Sequence, residues 1–283
     1  MSWQVFIALS VVSYSFSTIL QKFFLSREKI DPMAFSIFFQ IGTGFIIGAF
    51  ALVNGKLVFP YMTSLAVNFL LMIVLYTLGN IFLFFALRKI NASQFTVIFS
   101  SRVFFTILAS TLFLHEGLIP IQFVGIMLIF VSVALVSFKN SRFSLGKYEL
   151  FALGAAVSFG FGNSNDRIIL KSFPLYPYVS LAFLLPAIAT MVVFPKSLKK
   201  ISSFFSSFLW VKIFLYCSVY AISALTFFTA LQISNNSSQV SALSLMSVII
   251  TVILAIFLLG EKEHVARKIM GAVLSVAGVL LLS

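Results

Sequence analysis

Ten apolar runs, parted only by short polar or Gly/Pro-bearing breaks, leave this chain few ways to fold. Crossing a bilayer takes roughly 20 apolar residues. The runs fall at 3–24, 33–53, 65–87, 92–114, 120–138, 148–170, 175–194, 209–231, 237–259 and 266–282. At 61% hydrophobic and 9% charged over 283 residues, the composition is far from that of a soluble domain. Backbone polar groups in hydrocarbon must be satisfied inside a helix or a closed barrel, and the alternating pattern of a membrane barrel is absent. The expectation is an all-α polytopic membrane protein with ten transmembrane helices.

The chain also repeats itself at a shift of 145 residues. Ser13 falls on Ser158, Phe16 on Phe161, Pro32 on Pro177, Gln94 on Gln239, Thr106 on Thr251 and Glu116 on Glu261. A one-residue change of register brings Tyr76 onto Tyr220. Residues 1–140 and 146–283 are read as tandem copies with five spans each. Five is odd, so the second copy enters the membrane from the opposite side and the repeat is inverted.

Fifteen Lys and Arg residues lie in the connections after spans one, three, five, seven and nine, against Lys56, Arg167 and Lys171 on the other side. By the positive-inside rule this places those connections in the cytoplasm and both termini outside a cell (cytoplasmic) membrane. The net charge of +12 is thereby explained by topology. Nucleic acid is not expected as a partner, because the cations do not form an aromatic-bearing patch. The opening WQVFIALSVVSYS has no basic leader and reads as a first helix. Cys217 lies alone in an apolar run and reads as a small buried hydrophobe.

Polar residues inside such spans are costly, and they mark function. In the fourth span Arg102, Thr106 and Ser110 share a helical face. An arginine there offers a bidentate partner for a carboxylate or phosphate; the alternative is a structural arginine bonded to carbonyls or snorkelling. The third span carries Asn68, Met72, Tyr76 and Asn80 at fourfold spacing, and the eighth carries Tyr216 and Tyr220. In the first span Ser10, Ser13 or Tyr14, Ser17 and Gln21 follow one face, answered in the sixth by Ser158, Gly162, Asn163, Asn165 and Asp166. The candidate substrate-binding set is Arg102, Thr106, Asn80, Tyr76, Ser247, Thr251, Tyr14, Ser17, Asn163 and Tyr220. Glycines four apart from a small residue, as at Gly154, Ser158 and Gly162, read as close helix packing.

Catalytic motifs are missing from the sequence. It has no phosphate-binding Gly-Lys-Ser/Thr loop, His-Glu-x-x-His pair or Gly-x-Ser-x-Gly elbow, and an enzyme is not expected. His115 beside Glu116, and His264 near Glu261, offer too few ligands for a metal site. No cofactor is implied.

Two copies of a fourth span that ends in an apolar run plus Glu, followed by a polar turn and a Gly-bearing fifth span, carry a family resemblance. The stretches are LFLHEGLIPIQFVGIMLIFVSVALV and FLLGEKEHVARKIMGAVLSVAGVLLL. The chain resembles the EamA-type branch of the drug/metabolite transporter superfamily over essentially its whole length. The resemblance implies two five-helix EamA-like repeats, a central cavity lined chiefly by spans one, three, four, six, eight and nine, and peripheral spans five and ten. It also implies alternating access for a small-molecule substrate, such as an amino acid or organic anion, and is compatible with a homodimer. Val103 and Val248 stand where many members carry a kinking proline. Arg102 is not a family-wide feature, which points to selectivity. The smaller multidrug relatives use a first-helix glutamate to exchange protons for cations, and residues 3–24 hold no carboxylate. An uncoupled carrier or exchanger of neutral or anionic solutes fits better. The competing reading is a lipid-binding or assembly protein on the same scaffold.

Overall fold

The computed structural model describes residues 2–26, 30–60, 63–114, 120–139, 142–143, 146–206, 209–233, 240 and 243–281. His115, Glu116, Ser238 and Gln239 lie outside the described residues. The helices are α1 (Trp3–Ser26), α2 (Pro32–Val53), α3 (Ala66–Lys89), α4 (Ala92–Ser100), α5 (Arg102–Leu114) and α6 (Pro120–Ser137) in the first half. In the second half they are α7 (Lys147–Leu170), α8 (Leu175–Val193), α9 (Pro195–Ser206), α10 (Leu209–Ile233), α11 (Met246–Leu258) and α12 (Val265–Leu280). Between the halves, Phe138–Lys139 and Arg142–Phe143 pair as a minimal antiparallel hairpin. Among the described residues six helical segments are long and apolar enough to cross a membrane, one of them, Ala92–Ala109, running through α4 and into α5, and Pro120–Val136 and Met246–Leu258 are shorter apolar helices.

The packing repeats with the sequence. α3 lies along α7 as α10 lies along α1, α5 meets α7 as α11 meets α1, and α2 meets α10 as α8 meets α3. The pairs α2–α8 and α6–α12 join equivalent elements directly. Exchanging the halves therefore maps these principal contacts onto one another, which is the signature of a two-fold relation between repeats. Both self-paired seams depend on small residues: an added Cβ on Gly44 would sit 3.1 Å from the Ser180 carbonyl, and one on Gly278 would sit 2.7 Å from the Gly125 carbonyl.

Two features depart from the sequence reading. The fourth span is not one continuous helix but α4 and α5, parted by a turn at Ser101. Proline is not needed for the interruption, because the Ser100 and Ser101 hydroxyls take the carbonyls of Val97 and Ile98 at 2.6 and 2.7 Å. In the second copy a turn at Leu245 precedes α11, and the Ser247 hydroxyl likewise takes the Ser244 carbonyl at 2.7 Å. The second departure is α9, an amphipathic helix in what the sequence presents as a connection. Its Lys196, Lys199 and Lys200 are exposed, while Phe204 is buried against Phe38 with centroids 5.8 Å apart.

Polar clasps gather the charge-rich connections at one end. Lys22 Nζ reaches the carbonyls of Leu87 and Ile90 at 2.8 and 2.5 Å, satisfying the C-terminus of α3. Glu261 accepts from the amides of Ala92 at 2.7 Å and Ser93 at 3.2 Å, and from the Ser93 hydroxyl. A second-repeat carboxylate thus caps α4 of the first repeat, and Lys268 stands 3.6 Å from it. The aromatic core lies behind these clasps, with Phe35, Phe39, Phe84 and Tyr216 in ring contact at 5.2 to 5.9 Å. Cys217 is fully buried beside it, as the sequence suggests.

Candidate functional site

A cavity of about 170 Å³ opens where the two repeats face one another. This resembles the roughly 150 Å³ engineered cavity that takes benzene, so its scale suits a small metabolite. Its walls come from α1, α3, the α4–α5 break, α7, α10 and the start of α11, with Phe39 of α2 and Ala182 and Phe183 of α8 added. No residue of α6 or α12 reaches it. The helix set implied by the resemblance lines the cavity, and α2 and α8 join it because aromatic side chains reach inward.

Seven of the ten predicted residues meet in this space: Arg102, Asn80, Tyr76, Ser247, Tyr14, Asn163 and Tyr220. Helical geometry brings them together. Tyr76 and Asn80 are one turn apart on α3, and the Asn80 amide donates to the Tyr76 carbonyl at 2.8 Å. Tyr14 and Tyr220 face each other from α1 and α10 with centroids 6.1 Å apart. Asn163 enters from α7 at a point where Gly162 lets the helix approach, since a Cβ there would lie 2.9 Å from the Tyr76 ring.

Arg102 is the cation of the site. Its guanidinium lies 4.5 Å from the Phe99 ring centroid and 5.8 Å from that of Tyr14. Rings hold a guanidinium in place while leaving its N–H edge free to meet an anion. Among the described residues no carboxylate pairs with it. The break at Ser101 places Arg102 at the first residue of α5, where the unpaired amides of a helix start favour negative charge beside it.

The other three predicted residues lie off the cavity wall. The Thr106 hydroxyl bonds the Arg102 carbonyl at 3.0 Å and the Gly160 carbonyl at 3.1 Å, which stitches α5 to α7. Ser17 is fully buried and turns its hydroxyl back to the Ser13 carbonyl at 2.7 Å. Thr251 is fully buried with an unpartnered hydroxyl. Each shares a face with a lining residue but is buried away from the open space. The third-span stripe divides in the same way. Asn68 and Asn165 exchange amide bonds at 2.8 Å across α3 and α7, and Met72 is fully buried.

Sequence reasoning missed the aromatic lining of Phe39, Phe95, Phe99, Phe159 and Phe183. With 36 phenylalanines in the chain, no local signal separates these from lipid-facing ones. Ser223 was findable: it lies one turn from Tyr220, and it exchanges hydroxyl–carbonyl bonds with Ser10 at 2.9 and 3.1 Å.

Comparisons with known proteins agree with this architecture. Sixteen chains of solved structure match. One crystal structure superposes with a TM-score of 0.64 over 98% of this chain and 96% of its own; at 13% identity the likeness shows the fold alone. No curated protein matches. The family model of the EamA-like transporter family matches twice, over residues 1–138 and 146–283. The two matches fall on the two halves that the packing exchanges, and the chain belongs to the EamA-like transporter family.

Proposed function

We propose that this protein is a carrier for a small carboxylate-bearing metabolite, such as an amino acid or organic anion, working by alternating access in the cytoplasmic membrane. The observation that carries the reading is Arg102, held by aromatic rings over a metabolite-sized cavity and, among the described residues, paired with no carboxylate. Such a cation is a standing demand for an anionic partner, and a substrate carboxylate meets it with two parallel N–H···O bonds. Asn80, Asn163 and Ser247 supply neutral polar contacts for the rest of the ligand, and Tyr14, Tyr76 and Tyr220 supply rings and hydroxyls. In this reading residues 1–140 and 146–283 rock against each other about the cavity. The charge bias supports an orientation with both termini outside. An open cavity with a free cation weighs against the lipid-binding or assembly alternative.

The test is a thermal-shift screen of the purified protein against amino acids, organic acids, sugar phosphates and nucleosides, followed by uptake in proteoliposomes. A true ligand raises stability by mass action, and Arg102→Ala is expected to weaken it about 10- to 150-fold, as loss of a charged hydrogen bond worth about 1.5–3 kcal/mol implies. Unchanged uptake of every anionic and zwitterionic candidate by that variant would rule the reading out.

A further inference from the structure

One carboxylate lies a single hydrogen bond behind the cavity wall. Asp166 of α7 is buried, and its two oxygens are met separately: Tyr76 of α3 donates to Oδ2 and Tyr178 of α8 donates to Oδ1. Among the described residues no Lys or Arg lies within ion-pair distance of it. Arg167 is its chain neighbour, and Tyr76 lines the cavity that also holds Arg102 and Tyr220. Tyr76 is therefore shared, since the residue lines the cavity while its hydroxyl proton is committed to Asp166. The shell is wrong for a metal cation, which needs converging acceptor oxygens rather than two O–H donors. It suits a proton. The repeat strengthens the point, because Asp166 falls on Gln21 of α1, a neutral amide that lines the cavity and cannot take up a proton.

We propose that Asp166 is a proton-binding site that couples proton uptake to anion binding in the cavity, with Tyr76 as the link. The inference rests on the reading of the cavity as a transport site. A hydronium ion gives its proton to a lone pair of Oδ2: its O–H bond breaks as the carboxyl O–H forms, and water leaves. The new carboxyl O–H donates to the Tyr76 oxygen, which releases the Tyr76 hydrogen to turn into the cavity. Tyr178 keeps its bond to Oδ1. An anion then meets the Arg102 guanidinium and one further O–H donor, so proton and anion favour each other's binding. By linkage the effect is reciprocal, and the anion raises proton affinity by the same factor.

The test is infrared pH titration of the purified protein in lipid nanodiscs, following the carboxylic-acid C=O stretch, with acetate as the anion probe. Wild type is expected to show a titrating band that Asp166→Asn lacks and that Tyr76→Phe moves in frequency. Acetate is expected to shift the titration to higher pH, by about 1 to 2 units for a coupling of 5- to 150-fold, and Tyr76→Phe to abolish the shift while keeping the band. A static anchor for two tyrosines gives no titrating band, and that result overturns the proton site. A band indifferent to acetate, glutamate and succinate alike, in a protein that those anions stabilise, overturns the coupling. Failure of the cavity reading looks different: no carboxylate stabilises the wild type, or Arg102→Ala responds as wild type does.

Discussion

The contact of α5 with α7 and the contact of α11 with α1 are equivalents in the two repeats, and they are built to different spacings. On the first, Gly160 faces the break beside Arg102 so closely that a Cβ would sit 2.6 Å from the Arg102 carbonyl. The equivalent of Gly160 is Ser15 and that of Arg102 is Ser247; there the Ser15 hydroxyl fills the gap with a 3.2 Å bond to the Ser247 carbonyl. The threonines follow suit. Thr106 reaches across the tight seam to the Gly160 carbonyl, and Ser164 returns a bond to the Thr106 carbonyl at 2.8 Å. Thr251, its equivalent, finds no partner across the wider seam. One scaffold thus holds a fixed wall, on which the cavity cation stands, opposite a looser one. If the protein works by the alternating access proposed above, the α1–α11 wall is the one expected to move, a consequence that the following experiments can break.

The largest effect is expected from Glu261→Ala, because it strips the cap from α4 and leaves the Ala92 and Ser93 amides and the Lys268 ammonium without their carboxylate. Breaking a buried charged pair costs about 3–5 kcal/mol, which a melting curve in detergent or nanodiscs reads as a large fall in Tm. Next is Gly160→Ser, which copies Ser15 into the tight seam. The side chain must push α5 away from α7, at an overpacking cost of about 1–3 kcal/mol. The reverse exchange, Ser15→Gly, overpacks nothing; it gives up the 3.2 Å bond to the Ser247 carbonyl and adds the helix penalty of glycine, about 1 kcal/mol together. Equal losses of Tm in the two variants would mean that the seams do not differ.

Much of this asymmetry was hidden in the sequence, although the scaffold was not. The spans, the repeat and the odd count were legible because bilayer thickness and backbone hydrogen bonding impose them on any chain. Seven of the ten candidate residues reach the cavity because helical spacing fixes which side chains share a face. Thr106, Ser17 and Thr251 share those faces too, and only the distance between neighbouring helices decides that they are covered. That distance is set by Gly160 on one side and Ser15 on the other, a difference of one side chain whose meaning appears only in packing. The α4–α5 break was missed for a related reason. Without proline, the interruption comes from serine hydroxyls competing for backbone carbonyls, and serine does this in some helices and not in others. The amphipathic α9 was passed over because Lys-rich connections satisfy the charge rule whether they are helical or not.

A smaller contrast lies in the threonines themselves. Thr106→Val deletes a hydroxyl shared between the Arg102 carbonyl of its own helix and the Gly160 carbonyl across the tight seam, and is expected to cost about 1 kcal/mol. Thr251→Val replaces an unpartnered buried hydroxyl with a methyl of the same shape, so stability is expected to hold or rise slightly. Opposite signs in paired melting curves would support the two spacings, while a loss on both sides would show that Thr251 has a partner when the α1–α11 wall closes. That last outcome sharpens the comparison, because it would make Thr251 a reporter of the moving wall.

The smallest effect concerns the second helix of each repeat. α2 begins with Asp31, whose Oδ1 accepts from the amides of Met33 at 3.2 Å and Ala34 at 3.0 Å, whereas α8 begins after Pro174 with no side-chain cap. Burial draws the Asp31 carboxyl upward, but the bond and charge of Lys200, 2.6 Å away on α9, together with the Ala34 amide and the Ser197 hydroxyl, hold it below the ordinary carboxylate range. A carboxyl depressed by folding contributes stability above its unfolded value and loses it as pH falls through the folded one. Asp31→Asn keeps an oxygen acceptor for the cap and removes only the charge. Its deficit against wild type is expected to be about 0.5 kcal/mol near neutral pH, given how exposed Lys200 is, and to vanish in acid below the folded value. A deficit that persists there would assign the effect to the cap geometry rather than to the tie between α2 and α9.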